Sequence, residues 1–189
     1  MGVPNGYTSA QVVQAVPTGI NSALVCVKAE TAFTSASSVT VDNVFTSSYT
    51  NYLIKLLYKT DVAIRLGLRI GGVTTATNYN RVQLRVEGTT AGVSNLSSQT
   101  GFQVGEQTSG SLLEATSEIY IYAPQLAQRT FLWATNMHNQ SAYAGSSQYG
   151  DSSYGNQNST TQFDGLEFNG ATTMTATGTY TIYGFGKTV

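Results

Sequence analysis

Apolar residues recur at every second position in three separate runs of this chain, a spacing that an amphipathic helix cannot use. Tyr52, Ile54, Leu56 and Tyr58 alternate with Leu53, Lys55, Leu57 and Lys59. Val62, Ile64, Leu66, Leu68 and Ile70 alternate with Ala63, Arg65, Gly67 and Arg69. Val82, Leu84 and Val86 alternate with Arg81, Gln83, Arg85 and Glu87. Successive side chains on an extended strand point to opposite faces, so each run predicts a strand with one buried face. Only Thr60 and Asp61 separate the first two runs, which predicts that they pair as a hairpin.

Shorter signals of the same kind follow at Phe102 and Val104, at Ile119 and Ile121, and at Phe131 and Trp133. Others lie at Phe163, Leu166 and Phe168, and over residues 179–185. On the inward-facing reading of Ile119 and Ile121, Glu118, Tyr120 and Tyr122 lie on the outward face. Ala23 to Val27 reads as a continuous apolar strand in which the lone Cys26 is a small buried hydrophobe. Roughly eight or nine short strands with turn signals between them predict an all-β fold, an antiparallel jelly-roll-like β-sandwich. The 189 residues suffice for one core-bearing domain, assigned to residues 23–189.

Residues 1–22 differ from the rest. Thr8 and Gln11 stand at capping-box spacing ahead of Val12 and Val13, which predicts a brief helix over residues 9–15 that ends before Pro17. The segment reads as a short N-terminal arm that either anchors the domain to a partner or a neighbouring copy or caps its own domain.

The polarity of the chain comes from uncharged groups. Charged residues make up 10%, whereas 27 Thr and 19 Ser supply hydroxyls, a balance that favours close packing between copies. A net charge of −1 gives no basic face for nucleic acid or an anionic membrane. No apolar run approaches the ~18 residues of a membrane span. Arg65, Arg69, Arg81 and Arg85 are the nearest approach to a basic cluster, and their alternation with apolar residues reads as a solvated sheet face.

Residues 136–161 are built almost wholly of Tyr, Ser, Gly, Gln, Asn and Ala, with Asp151 as the single formal charge. The segment is expected to be a long loop. Tyr supplies rigid amphipathic contact area and Ser, Gly and Asn supply adaptable hydrogen bonds, the mixture that binding surfaces use. The receptor-binding candidates are therefore Tyr143, Tyr149, Tyr154, His138, Gln148 and Asn156. Oligomer-interface candidates are Tyr7, Val12 and Val13 of the arm and the outward Tyr120 and Tyr122.

Catalytic signals are lacking. His138 is the one histidine and lies in the expected loop, without a base-orienting carboxylate at any recognisable spacing. One His and one Cys far apart do not make a metal site. Glu106, Glu114, Glu118, Asp164 and Glu167 could include a glycosidase pair, yet nothing in their spacing selects two, and solvent exposure accounts for all five. The chain is expected to be non-enzymatic, with no catalytic residues, no metal and no cofactor.

Four segments together resemble small tailed-bacteriophage virion proteins of the tail-fibre or receptor-binding type, as in marine and cyanobacterial phages. They are residues 14–25 (QAVPTGINSALV), 41–52 (VDNVFTSSYTNY), 123–127 (APQLA) and 178–185 (GTYTIYGF), and they occur in the family's order along nearly the whole chain. The resemblance implies a β-sandwich displayed on a virion, commonly as a homotrimer, with other virion proteins of tail or capsid as partners. Two roles stay open. As a receptor-binding protein the chain would present its Tyr-rich segment to a host surface glycan or protein. As a head-decoration (cement) protein it would clamp capsid subunits with its arm and sheet edges.

Overall fold

The computed structural model describes residues 24–87, 89–108, 115–140 and 147–186. The arm at residues 1–22, with its expected helix and with Tyr7, Val12 and Val13, lies outside the described residues. So does Tyr143.

Every described element is a β-strand, and every pairing between strands is antiparallel. In chain order the strands are β1 (Leu24–Ala36), β2 (Ser38–Val41), β3 (Tyr49–Thr60), β4 (Ile64–Ile70), β5 (Val73–Thr74), β6 (Tyr79–Glu87) and β7 (Thr90–Gln99). There follow β8 (Phe102–Gly105), β9 (Ala115–Tyr122), β10 (Thr130–Gln140), β11 (Ser147–Gln157), β12 (Gly165–Gly170) and β13 (Ala176–Gly186). Eight of them form one sheet in the order β1-β13-β3-β9-β10-β11-β6-β7. A smaller sheet runs β2-β12-β4-β5, with β8 also pairing β4.

The two sheets bury their apolar faces against one another. From the large sheet come Tyr52, Ile54, Leu56 and Tyr58 of β3, Ile119 and Ile121 of β9, and Tyr180 and Ile182 of β13. From the small sheet come Ile64, Leu66 and Leu68 of β4, Leu166 and Phe168 of β12, and Phe102 and Val104 of β8, all in the same cluster. Each such side chain removed from water contributes roughly 1.5–3 kcal/mol, so this cluster is the main source of stability. Hydrogen bonds also tie the layers, among them Leu68 N–H donating to Tyr79 Oη at 2.6 Å.

The expected hairpin of residues 52–58 and 62–70 does not form. β3 pairs with β13 and β9 in the large sheet, whereas β4 pairs with β12, β5 and β8 in the small one. Both strands carry a complete apolar face, and placing them in opposite layers lets those faces meet each other. Adjacent in one sheet, they would have left the second layer without a centre.

Cys26 is exposed rather than buried. It lies on β1, an edge strand of the large sheet whose side chains are mostly exposed on both faces. The arginine reading fails as well. Arg69 and Arg81 are buried, at 9% and 7% exposure. Arg69 lies on the side of β4 away from Leu68 and the core and is covered by its neighbouring loop and turn, with Nε donating to Asp42 Oδ1 at 2.7 Å and Nη1 to Thr74 Oγ1 at 2.6 Å.

The segment expected as a long loop is mostly strand. Ser147 to Gln157 pairs residue for residue with β10 on one side, and from Tyr149 onward with β6 on the other. Its inward positions hold Tyr149, Asp151, Ser153 and Gln157, all buried, while Tyr154 points out. A strand whose inner face is polar has no hydrophobic alternation to announce it.

Candidate functional site: a polar end to the core and an aromatic outer face

Followed toward the β8 end, the inward side chains of several strands change character together. On β10 they run Leu132, Ala134, Asn136, His138, and on β9 Ile121, Ile119, Ser117. On β6 they are Tyr79, Arg81, Gln83 and then Arg85. The strand register aligns the switch into one transverse row: Ser117 opposite Asn136, Asn136 opposite Asp151, Asp151 opposite Arg85, and Arg85 opposite Gly92.

At the inner end of the row every group is bonded. Asn136 Nδ2 donates to Tyr58 Oη at 2.6 Å and to Ser117 Oγ at 2.9 Å. Ser117 Oγ donates in turn to Val104 O at 2.7 Å. Because both amide protons of Asn136 are used, its Oδ1 is the acceptor facing His138 Nδ1 at 2.8 Å, which places the imidazole proton on Nδ1. Tyr58 Oη accepts from Glu106 N–H at 3.1 Å, and burial pushes its pKa up. Gly105 makes room for that hydroxyl, since a Cβ there would lie 2.2 Å from Tyr58 Oη.

Farther out the row is ionic. Arg85 Nε donates to Asp151 Oδ1 at 3.3 Å and its Nη2 to Glu106 Oε1. Gln83 Nε2 also donates to Glu106 Oε1, at 3.1 Å, as does Gln103 Nε2. Arg81 Nη1 donates to Gln103 Oε1, while Arg81 Nε is buried without an acceptor among the described residues. Burial, with the Glu106 charge adding to it, pushes the Asp151 carboxyl up to about 6 against the pull of Arg85. Burial lowers the Arg81 guanidinium. Burial also acts downward on Arg85, but Glu106 and Asp151 outweigh it and the net direction is up.

Between the inner face of β6–β7 and β8 lies an open groove of about 450 Å³, lined by the polar side chains of Arg81, Gln83, Arg85, Ser94, Gln103 and Glu106 and by Ala63, Gly92 and Val93. It exists because the sheets differ in width: beyond β8 the small sheet has no described strand to cover β6 and β7. All but the last residue of β7 are exposed.

The outer face of the same strands is apolar. Val82, Leu84 and Val86 are 42–43% exposed, with Tyr154 at 49%, Phe131 at 51% and Met137 at 65%. A second transverse row crosses here through Val82, Tyr154, Trp133, Tyr120, Leu53 and Tyr183. Its rings stack: Tyr154 on Trp133 at 6.2 Å and 9°, and Trp133 on Tyr120 at 4.9 Å and 17°. Tyr120 is flanked by Tyr122 and Phe185, both at 6.4 Å.

The grouping of candidates expected from the sequence therefore changes. Tyr154 and Asn156 face outward, Asn156 accepting from Asn80 Nδ2 at 3.2 Å, and Tyr120 and Tyr122 share that outer face. His138 and Tyr149 point inward, 5% and 4% exposed and stacked on each other at 5.1 Å, so neither side chain presents itself to a partner. Gln148 keeps strand pairing with Asn139, and its side chain lies outside the described residues. Glu106 is nearly buried in the groove wall rather than a solvated acid, with a side-chain exposure of 13%. Arg81, Gln83, Arg85, Gln103, Glu106 and Asp151 are the residues that sequence reasoning missed as a group. Their one signal was the alternation in residues 81–87, read with the wrong face inward. Among the described residues, no group of three or more His, Cys, Asp and Glu side chains is placed to hold a metal ion. Comparison of the chain with protein-family models, with curated proteins and with solved structures finds no match.

Proposed function

We propose that this chain is a non-enzymatic structural protein of a tailed-bacteriophage virion, of the tail-fibre or receptor-binding type. In this reading recognition uses the outer face of β10 and β11 in place of a loop. The observation that carries it is the stacked row Tyr154–Trp133–Tyr120 set among exposed Val82, Leu84, Phe131 and Met137. A contiguous exposed patch of this kind on a domain that already has a filled core marks a surface for another macromolecule. The rings stack on one another, so their edges and hydroxyl tips meet the partner, and aromatic residues of this type anchor interfaces. The resemblance in residues 14–25, 41–52, 123–127 and 178–185 assigns the setting.

Two antiparallel sheets on one core, with the chain passing repeatedly from one sheet to the other, support a jelly-roll-like sandwich as the finer description. Edge strands β1 and β7, exposed along most of their length, support assembly with further copies as a homotrimer, in which Tyr120 and Tyr122 are available contacts. The same edges favour the second reading, a capsid-decoration protein that pairs strand to strand with shell subunits.

Copy number in purified virions, counted by quantitative mass spectrometry, separates the two. The receptor-binding reading expects a few to a few dozen copies, and it expects Tyr154→Ala with Phe131→Ala to lower host adsorption by about tenfold or more. Hundreds of copies, with adsorption intact in the double variant, would establish decoration instead.

A further inference from the structure

We propose that the groove between β6–β7 and β8 is a binding site for an uncharged saccharide, held by Arg81, Gln83, Arg85, Gln103 and Glu106. The inference deepens the receptor-binding reading and rests on it for the source of the ligand, a glycan of the host surface. The chemistry is argued from the groove itself.

At about 450 Å³ the groove has the size of a small-molecule site, which runs from roughly 300 to 1,000 Å³. Its charges are already matched within the protein. Arg85 bonds both Glu106 and Asp151, and the buried Arg81 bonds Gln103, so two guanidinium groups are balanced by two carboxylates and an anion entering the groove meets no net positive charge. What remains is a set of planar polar groups that can both donate and accept. Glu106 Oε1 gathers the donors of Gln83, Arg85 and Gln103, while Glu106 Oε2 takes none of them. A sugar hydroxyl donates one hydrogen bond and accepts others, which suits a wall where guanidinium and amide N–H groups alternate with carboxylate and amide oxygens.

These groups are also held in place before any ligand arrives. Arg81, Gln83 and Asp151 are each at most 7% exposed, and their bonds to Gln103, Glu106 and Arg85 fix the side chains that line the groove. Ordering them on binding therefore costs little, which is how a site without an aromatic floor can still select its ligand. The far rim is open: Gly92 and Ser94 of β7 face the groove, and a Cβ added at Gly92 would meet nothing within 4 Å. Single-site binding of this kind is weak, and display in several copies would raise it through avidity.

The open rim supplies the test. Gly92→Phe fills the groove without removing a buried charge, Gly92→Ala serves as the control, and Ser94→Phe repeats the blockade from the same strand if the first variant does not fold. The full chain is assayed on an array of neutral hexose and N-acetylhexosamine oligosaccharides beside uronic-acid and sulphated ones. Binding to a neutral oligosaccharide is expected, little changed between low and high salt, retained in Gly92→Ala and lowered about tenfold or more by the Phe variants. Absence of binding to any neutral glycan overturns the proposal. So does neutral-glycan binding that the Phe variants leave intact, or binding confined to acidic glycans and lost in salt. Host adsorption by virions carrying Gly92→Phe reports separately on the receptor role. Unchanged adsorption beside lost glycan binding would refute that role and leave the saccharide site standing.

Discussion

The β3–β9 half of the large sheet and the β6–β11 half are built on the same alternation and turn it in opposite directions. In the first, Ile54, Leu56, Ile119 and Ile121 go inward, and Lys55 and Glu118 face solvent, where they pair at 3.1 Å. In the second, Arg81, Gln83, Asp151 and Ser153 go inward while Val82, Leu84 and Tyr154 face out. The difference follows from what lies opposite each half. The small sheet's Leu66, Leu68, Leu166 and Phe168 face the first half, so apolar groups there find apolar partners. The second half projects past the small sheet, and its inner face meets water in a groove, where polar side chains bonded to one another cost less than bare apolar ones. Its outer face is then left with the apolar set. One half is placed to hold the fold, and the other leaves an open groove on its inner side and exposed apolar side chains on its outer side.

Deleting atoms from the first half should break the comparison most sharply. Ile119 is fully buried between the layers, and Ile119→Ala is expected to cost about 2–5 kcal/mol, read as a fall in the denaturation midpoint. A loss under about 1 kcal/mol would mean that this half is not the stabilising one.

The second half should reveal itself through pH. The Asp151 carboxyl is pushed up to about 6 in the folded state, above its ordinary value of 3.8. The folded protein therefore binds the proton more tightly than the unfolded chain does. Stability from this group is fully present below the unfolded pKa and is lost as pH rises from 4 toward 6 and beyond, by an amount of order 3 kcal/mol. Asp151→Asn should flatten that part of the stability–pH profile, measured by urea denaturation across the range. An unchanged slope in the variant would assign the effect to other groups.

The smallest effect is expected on the outer face. Leu84→Ser removes an apolar group that is 42% exposed, so the midpoint should move by no more than about 0.5 kcal/mol equivalent. Association between copies, followed by light scattering, should weaken if that face is shared. A large loss of monomer stability would show that the outer apolar set belongs to the fold and not to a contact surface.

Extended structure was legible in the chain itself, because period two along residues 52–58, 62–70 and 81–87 is a property of covalent geometry that needs no partner. The inward face of β3 and β9 was legible too, since Ile54 and Ile119 have no favourable place but a core. Three things needed the tertiary structure. Pairing was one: β3 and β4 follow each other in sequence yet sit in different layers, because strand partners are chosen by which apolar faces must meet. The direction of β6 was another. Alternation names two faces without saying which is inside, and the width of the small sheet decided it. The third was β11, whose Tyr149, Asp151 and Ser153 form an inner face with no hydrophobic pattern. That strand is held by backbone pairing to β10 and β6 and by polar bonds to groups more than sixty positions away in sequence, such as Arg85. Such bonds are directional and exist only once the chain has brought their partners together. Hydrophobic periodicity can be read locally, whereas a buried polar site can be read only in three dimensions.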